Sequence, residues 1–301
     1  MTESEETMAQ TPTGAPTQPR SELIDRIQHV DLRVTDVERA LGFYRDVAGF
    51  RVLDRTDSSA LLGDGAGTAF LGLTSKGVTK PASRTAAGLF HTAFRFPTRR
   101  ALGQALARLV KADYEVGAGD HFVSEALYVD DPDGNGVELY RDRPREQWPE
   151  PPEGQLVAMG TAAVDLRGLL DEATVDGIVE EATPEGTDVG HVHLQVADVD
   201  ESVVFYVDIL GLDLMARMGS QAAFLASNGY HHHIGANTWR SRGRAPAPRD
   251  HAGIDRIVFA TAPDELQALA ERLEASGRPY SRVTDEIVIQ DPNGVELTFV
   301  A

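Results

Sequence analysis

From Gln28 the chain reads QHVDLRVTDVERALGFYRDVAGFRVL, and two periods succeed each other in it. HVDLRV alternates polar and apolar, which predicts a half-buried strand. Asp36 is placed to cap a helix, and VERALGFYRDVAG carries apolar residues at helical spacing, with Gly49 as a stop. The same order recurs from Gly88, where GLFHTAFRF predicts a strand and TRRALGQALARLVKADY a helix. In GLFHTAFRF the alternation puts His91 and Arg95 on one face, with Phe90, Thr92, Phe94 and Phe96 on the other. In VELY, Glu138 and Tyr140 share one face, and Val137 and Leu139 the other. Asp131-Pro132-Asp133-Gly134-Asn135-Gly136 predicts a tight turn that brings strands of this unit into one sheet.

Internal repetition organises the whole chain. GHVHLQVADVDESVVFYVDILGLDLM from Gly190 matches the Gln28 segment without a gap, setting His191 over His29, Asp198 over Asp36, Phe205-Tyr206 over Phe43-Tyr44 and Gly211 over Gly49. GIDRIVFAT from Gly253 matches GLFHTAFRF, and DPNGVELTF matches DPDGNGVELY. The chain is a duplication of a duplication, with units near residues 27–75, 88–141, 189–240 and 252–300. Each unit reads as strand, helix, then further strands. The expected layout is a disordered tail over 1–26, a first domain over 27–142, a Pro-rich linker region over 143–188 and a second domain over 189–301.

Composition narrows the partners. The chain has 301 residues and no cysteine, which excludes disulfides and thiolate metal sites. It contains no run of about 18 or more apolar residues, and its polar, acidic start is unlike a signal peptide, so a soluble cytoplasmic protein is expected. A net charge of −19 opposes binding to nucleic acid or an anionic membrane. Lys76, Lys80 and Lys111 are the only lysines, a bias that either a high-salt cytoplasm or a GC-rich genome would produce.

A His and a Glu facing one hollow are two parts of a divalent-metal site, and His91 and Glu138 meet that description. In the fourth unit Arg256 takes the place of His91. A guanidinium stays protonated and cannot ligate, so Glu296 there has no histidine beside it and one site per chain is expected.

Strand openings of the form HVxLxV, followed by Asp, Phe-Tyr and an LGF-like turn and closed by DPxGNxxE, resemble the vicinal oxygen chelate superfamily. Four units in one chain resemble its type I extradiol ring-cleaving dioxygenases, of the catechol 2,3-dioxygenase kind. The resemblance implies an α+β fold of four βαβββ modules paired into two incomplete barrels. It also implies a facial triad of two His and one Glu holding Fe(II), with Mn(II) accepting the same ligands. His91 and Glu138 match two positions. The third falls on His191 or His29. His191 is favoured because its unit closes with His231, His232 and His233, whereas the first unit offers only Ala69, Phe70 and Leu71 there, and because His193 shares its face. That choice requires units two and three to pair, although sequential pairing of units one and two is more usual.

The resemblance further implies an acid/base histidine at His233, and a His and a Tyr ahead of the Glu ligand. Tyr128 matches the Tyr, and His121 matches the His across a shorter interval than usual. The implied partners are a small aromatic diol and O₂, with homo-oligomer formation common in the family. Trp239, Phe122 and Tyr230 are candidate pocket walls. Two other activities share the fold: a glyoxalase-type metal-dependent isomerase or lyase, which takes a further carboxylate ligand, and a metal-free protein that sequesters small molecules.

Overall fold

The computed structural model describes residues 18–174 and 179–301. The first module runs β1 (Arg26–Arg33), α1 (Val37–Tyr44), β2 (Arg51–Arg55), β3 (Ser59–Gly63) and β4 (Ala69–Thr74). The second runs β5 (Gly88–Arg95), α2 (Arg99–Lys111), β6 (Gly117–Asp120), β7 (Ser124–Asp130) and β8 (Gly136–Asp142). A short helix, α3 (Leu166–Ala173), lies in the connection. The third has β9 (Asp188–Gln195), α4 (Val199–Val203) continuing as a wider π-turn to Ile209, β10 (Asp213–Met218), β11 (Ala222–Ala226) and β12 (Ile234–Asn237). The fourth has β13 (Gly253–Ala260), α5 (Pro263–Ser276), β14 (Ser281–Val283), β15 (Glu286–Gln290) and β16 (Glu296–Val300). Helices α1 to α4 start at capping side chains, while α5 opens on Pro263 with no side-chain cap. Asp36 accepts from the Arg39 amide at 2.8 Å, Thr98 from Ala101 at 3.1 Å and Asp198 from Asp200 at 2.7 Å.

In every module the opening strand lies parallel to the closing one, as β5 does to β8 and β9 to β12. Modules then join through antiparallel opening strands. β5 pairs with β9 and β1 with β13, so module two pairs with three and module one with four. The sheet is open, and the strand ladders of its two halves are joined by the single β1–β9 pair Ile27–Val189. Modules adjacent in sequence are tied differently. Tyr44 of module one donates to Asp131 of module two at 3.1 Å, and Tyr206 of module three donates to Asp291 of module four at 3.1 Å. The Phe-Tyr and Asp-Pro motifs recur together because they are each other's partners. Asp131 also accepts the amides of Asp133 and Asn135, which satisfies the buried turn.

The tail is shorter than the expected 1–26. Arg20 and Ser21 donate their amides to Asp213 at 2.7 and 2.8 Å, and Leu23 and Ile24 are buried. Two apolar residues leaving solvent contribute roughly 3–6 kcal/mol, enough to hold a short segment in place. The rest of that expected tail lies outside the described residues. Phe50, Phe70 and Phe94 pack ring against ring, with Phe50 and Phe94 4.6 Å apart, and anchor β5 through Phe94.

Candidate active site

β5 and β9 form the floor of a cavity of about 540 Å³. Ladder alternation would separate Phe90 from His91, but β5 bulges there: Leu89 faces Leu194 and His91 faces His193, leaving Phe90 as an extra residue. Phe90 and His91 therefore both line the cavity, while Arg95, further along β5, lies outside it and pairs with Asp188 and Asp142. A second irregularity falls at Gly190, where any Cβ would stand 1.7 Å from the Tyr140 hydroxyl. Only glycine allows β9 to carry His191 past that tyrosine.

His91 Nε2 lies 2.9 Å and His191 Nε2 3.1 Å from Glu138 Oε2. All three side chains are buried, and their ligand atoms lie within 4.8 Å of one another. His91 Nε2 has no hydrogen-bond partner despite its closeness to the carboxylate. A buried, unpartnered imidazole nitrogen aimed at a buried carboxylate fits a metal ligand set better than a hydrogen-bonded core, and nitrogen-plus-carboxylate donors suit Fe(II) or Mn(II). Burial pushes the Glu138 carboxyl up, but His191 and His91 outweigh it and hold the group well below the ordinary range. Burial takes His191 down to about 4, against the pull of Glu138.

His29 is not brought to this site. It bonds Asp31 at 2.7 Å, Asp31 also accepts from Arg256, and all three line a different hollow. Among the described residues, the only other convergent group of three is His191, His231 and His232.

Tyr128 reaches the cavity from β7, directly across the ladder from Glu138. Its hydroxyl is 2.7 Å from His121 Nε2, and His121 Nδ1 is 2.8 Å from the Gly160 carbonyl. The carbonyl can only accept, so Nδ1 carries the hydrogen and, on a neutral ring, Nε2 accepts from Tyr128. Burial, and then the nearby Glu138, push the Tyr128 hydroxyl well above its usual range, so it stays protonated.

The structure does not bring His233 to the cavity. The chain bends at residues 231 and 233 before entering β12, so strand alternation does not extend back through the histidine run. His233 turns to a separate hollow with Arg95 and Tyr230, and its Nδ1 accepts from the Ser227 amide at 3.2 Å. His232 lines the cavity in its place, its ring 4.1 Å from that of His191. Tyr230 belongs to the other hollow and Phe122 is exposed, whereas Trp239 does form a wall with Met159, Met218, Phe224 and Phe90. His193 also faces inward, and Gly235 makes room for it, since a Cβ there would lie 2.8 Å from the ring.

The comparisons with known proteins show the family. The family model described as Glyoxalase/Bleomycin resistance protein/Dioxygenase superfamily matches residues 26–139 and 188–299. The chain belongs to that superfamily. A member from Bacillus subtilis (strain 168), named catechol-2,3-dioxygenase, is 40% identical over 278 residues, spanning 91% of this chain and 96% of its own. A manganese-dependent 2,3-dihydroxybiphenyl 1,2-dioxygenase from Geobacillus genomosp. 3 is 30% identical over 96 residues, 32% of this chain and 28% of its own. Among solved structures, a glyoxalase I mutant from Zea mays aligns with a TM-score of 0.53 at 17% identity, covering 91% of this chain and 92% of its own. The cppA protein from Streptococcus pneumoniae TIGR4 aligns with a TM-score of 0.55 at 13% identity, covering 93% of this chain and 99% of its own. At such identities these likenesses show the superfamily fold alone.

Proposed function

We propose that this enzyme opens the ring of a catechol beside its two hydroxyls, as an extradiol dioxygenase, at a single divalent metal held by His91, Glu138 and His191. The convergence of His91 Nε2 and His191 Nε2 on Glu138 Oε2 carries the reading. The Bacillus relative, matched along nearly its whole length, supports the activity. Bound there, Fe(II), or Mn(II) in its place, would supply open coordination positions at which a vicinal diol and dioxygen meet. The chain's own residues do the rest. Phe90, Phe224 and Trp239 flank the ring and exclude water. His232 Nε2 takes the diol proton and later returns it, a role supported by His232, rather than His233, lining the cavity. Tyr128 is held beside the substrate by His121 and, when the diol is bound, turns the hydrogen it gives to His121 Nε2 in the free enzyme toward a substrate oxygen, where it stabilises developing charge.

The substrate class is read from the wall. Among the described residues no lysine or arginine lines the cavity, and its accessible lining is mostly apolar, so alkyl or aryl substituents are accepted and carboxylated ones rejected. Iron-loaded protein given 3-methylcatechol and air should form a yellow ring-opened product. The same test with 3,4-dihydroxybenzoate should give a kcat/KM at least tenfold lower. Stoichiometric metal without product from any diol would refute the activity, and a preference for the carboxylate would refute the substrate class. A glyoxalase-type isomerase would need a further carboxylate, and no fourth acidic ligand joins His91, Glu138 and His191 among the described residues.

A further inference from the structure

Behind the cavity wall the histidine run continues into a chain that metal binding and proton transfer leave unexplained. His231 is fully buried, with Nε2 2.8 Å from Asp142 Oδ1 and Nδ1 2.8 Å from His232 Nδ1. Two lone pairs at that separation would repel, so one hydrogen lies between the rings. This committed contact speaks against His231 and His232 joining His191 around a second ion. The direction of the hydrogen bonds is set from the far end. Asp142 Oδ2 accepts from the Tyr230 hydroxyl at 2.9 Å and from Arg95 at 3.2 Å, while Oδ1 is left to His231. A carboxylate only accepts, so His231 Nε2 carries hydrogen. On a neutral ring His231 Nδ1 is then a lone pair, and His232 must donate from its own Nδ1. That leaves His232 Nε2 as a lone pair on the ring that lines the cavity.

We propose that Asp142 and His231 are positioning residues that lock His232 into the Nδ1–H tautomer, so that its Nε2 meets the substrate as a base. The inference rests on His232 being the acid/base group. Asp142→Asn tests it by reversing the chain. The amide oxygen must still accept from Tyr230 and Arg95, so the NH₂ faces His231 Nε2 and forces a lone pair there. His231 then donates from Nδ1, and His232 presents an N–H to the cavity.

The expected result with iron-loaded enzyme is a fall in kcat on the order of 10²-fold or more, the scale of general-base catalysis, with metal content and KM within about twofold of wild type. Asp142→Glu restores part of kcat, and the losses from Asp142→Asn and His232→Phe are not additive. A merely structural role would lower metal content or raise KM, and its loss would add to that of His232→Phe. Unchanged kcat in Asp142→Asn overturns the proposal while leaving the acid/base reading intact. Unchanged kcat in His232→Phe overturns both. A measurement that needs no variant is histidine ¹⁵N spectroscopy of the zinc-loaded wild-type protein. A protonated Nδ1 and bare Nε2 on His232 are expected, and the opposite tautomer overturns the proposal.

Discussion

Removing the metal and lowering the pH should unfold this protein unusually steeply. His191 and His233 are taken down to about 4 and about 3 by burial, and His193 and His232 lie well below the ordinary imidazole range for the same reason. Each is neutral when folded and becomes charged on unfolding below about pH 6.5, so the unfolded state binds more protons and stability falls with falling pH. Four such groups give a slope of about 5 kcal/mol per pH unit below pH 6.5, at about 1.4 kcal/mol per proton. Asp131 works the other way. Burial raises it to about 6 and shifts Asp291 in the same direction, so protons held in the fold offset part of this uptake and leave about two to three protons and a slope of about 3–4 kcal/mol per pH unit. Glu138 adds its own acid sensitivity only below the unfolded carboxyl range of about 4.3. A fold of ordinary stability, about 5–15 kcal/mol, would lose much of it within two pH units. Urea unfolding of chelator-treated protein at half-unit steps from pH 7 to 5 measures the slope. A value at or below about 1.4 kcal/mol per pH unit, one proton's worth, would mean that these imidazoles are not buried and neutral.

The same geometry makes three further outcomes testable. His191→Ala should lose at least tenfold in metal occupancy at limiting iron, while His29→Ala keeps one equivalent because His29 is committed to Asp31; metal analysis of both proteins reads the difference. Tyr128→Phe should lower kcat/KM about tenfold, one hydrogen bond to developing charge, with unchanged metal content; an unaltered rate would remove Tyr128 from the reaction. Gly235→Ala places a Cβ 2.8 Å from the His193 ring, and thermal unfolding should show a loss of about 1–3 kcal/mol.

Much of the fold is legible in the chain because repetition supplies its own alignment. The gapless match of the Gln28 and Gly190 segments defines the modules, and histidine at 91 against arginine at 256 decides which half carries the chemistry. The preference for His191 rests on which strand also supplies an imidazole, and that preference requires the pairing of modules two and three that β5 and β9 display. The illegible part comes from departures from strict period. A bulge at Phe90 and bends at residues 231 and 233 each shift side chains by one position, and a period-two reading has no means of registering such a shift. Strict alternation therefore sets Phe90 on the wrong face, and the family resemblance, which assigns the acid/base role to His233, has no means of seeing that His232 is the imidazole lining the cavity. The packing of Ser21 to Ile24 escapes it as well, because two adjacent apolar residues in a polar run carry no period. Asp142 is out of reach of any local pattern, since its partners His231 and Arg95 lie 89 and 47 residues away in the chain.

The most direct test of the metal centre is the iron content of anaerobically purified protein beside that of Glu138→Ala. Glu138 is the acceptor on which both imidazoles close, so wild type should hold one equivalent per chain and the variant less than a tenth of that. Equal occupancy in the two proteins would contradict the assignment, because the metal would then have to bind somewhere other than between His91, Glu138 and His191.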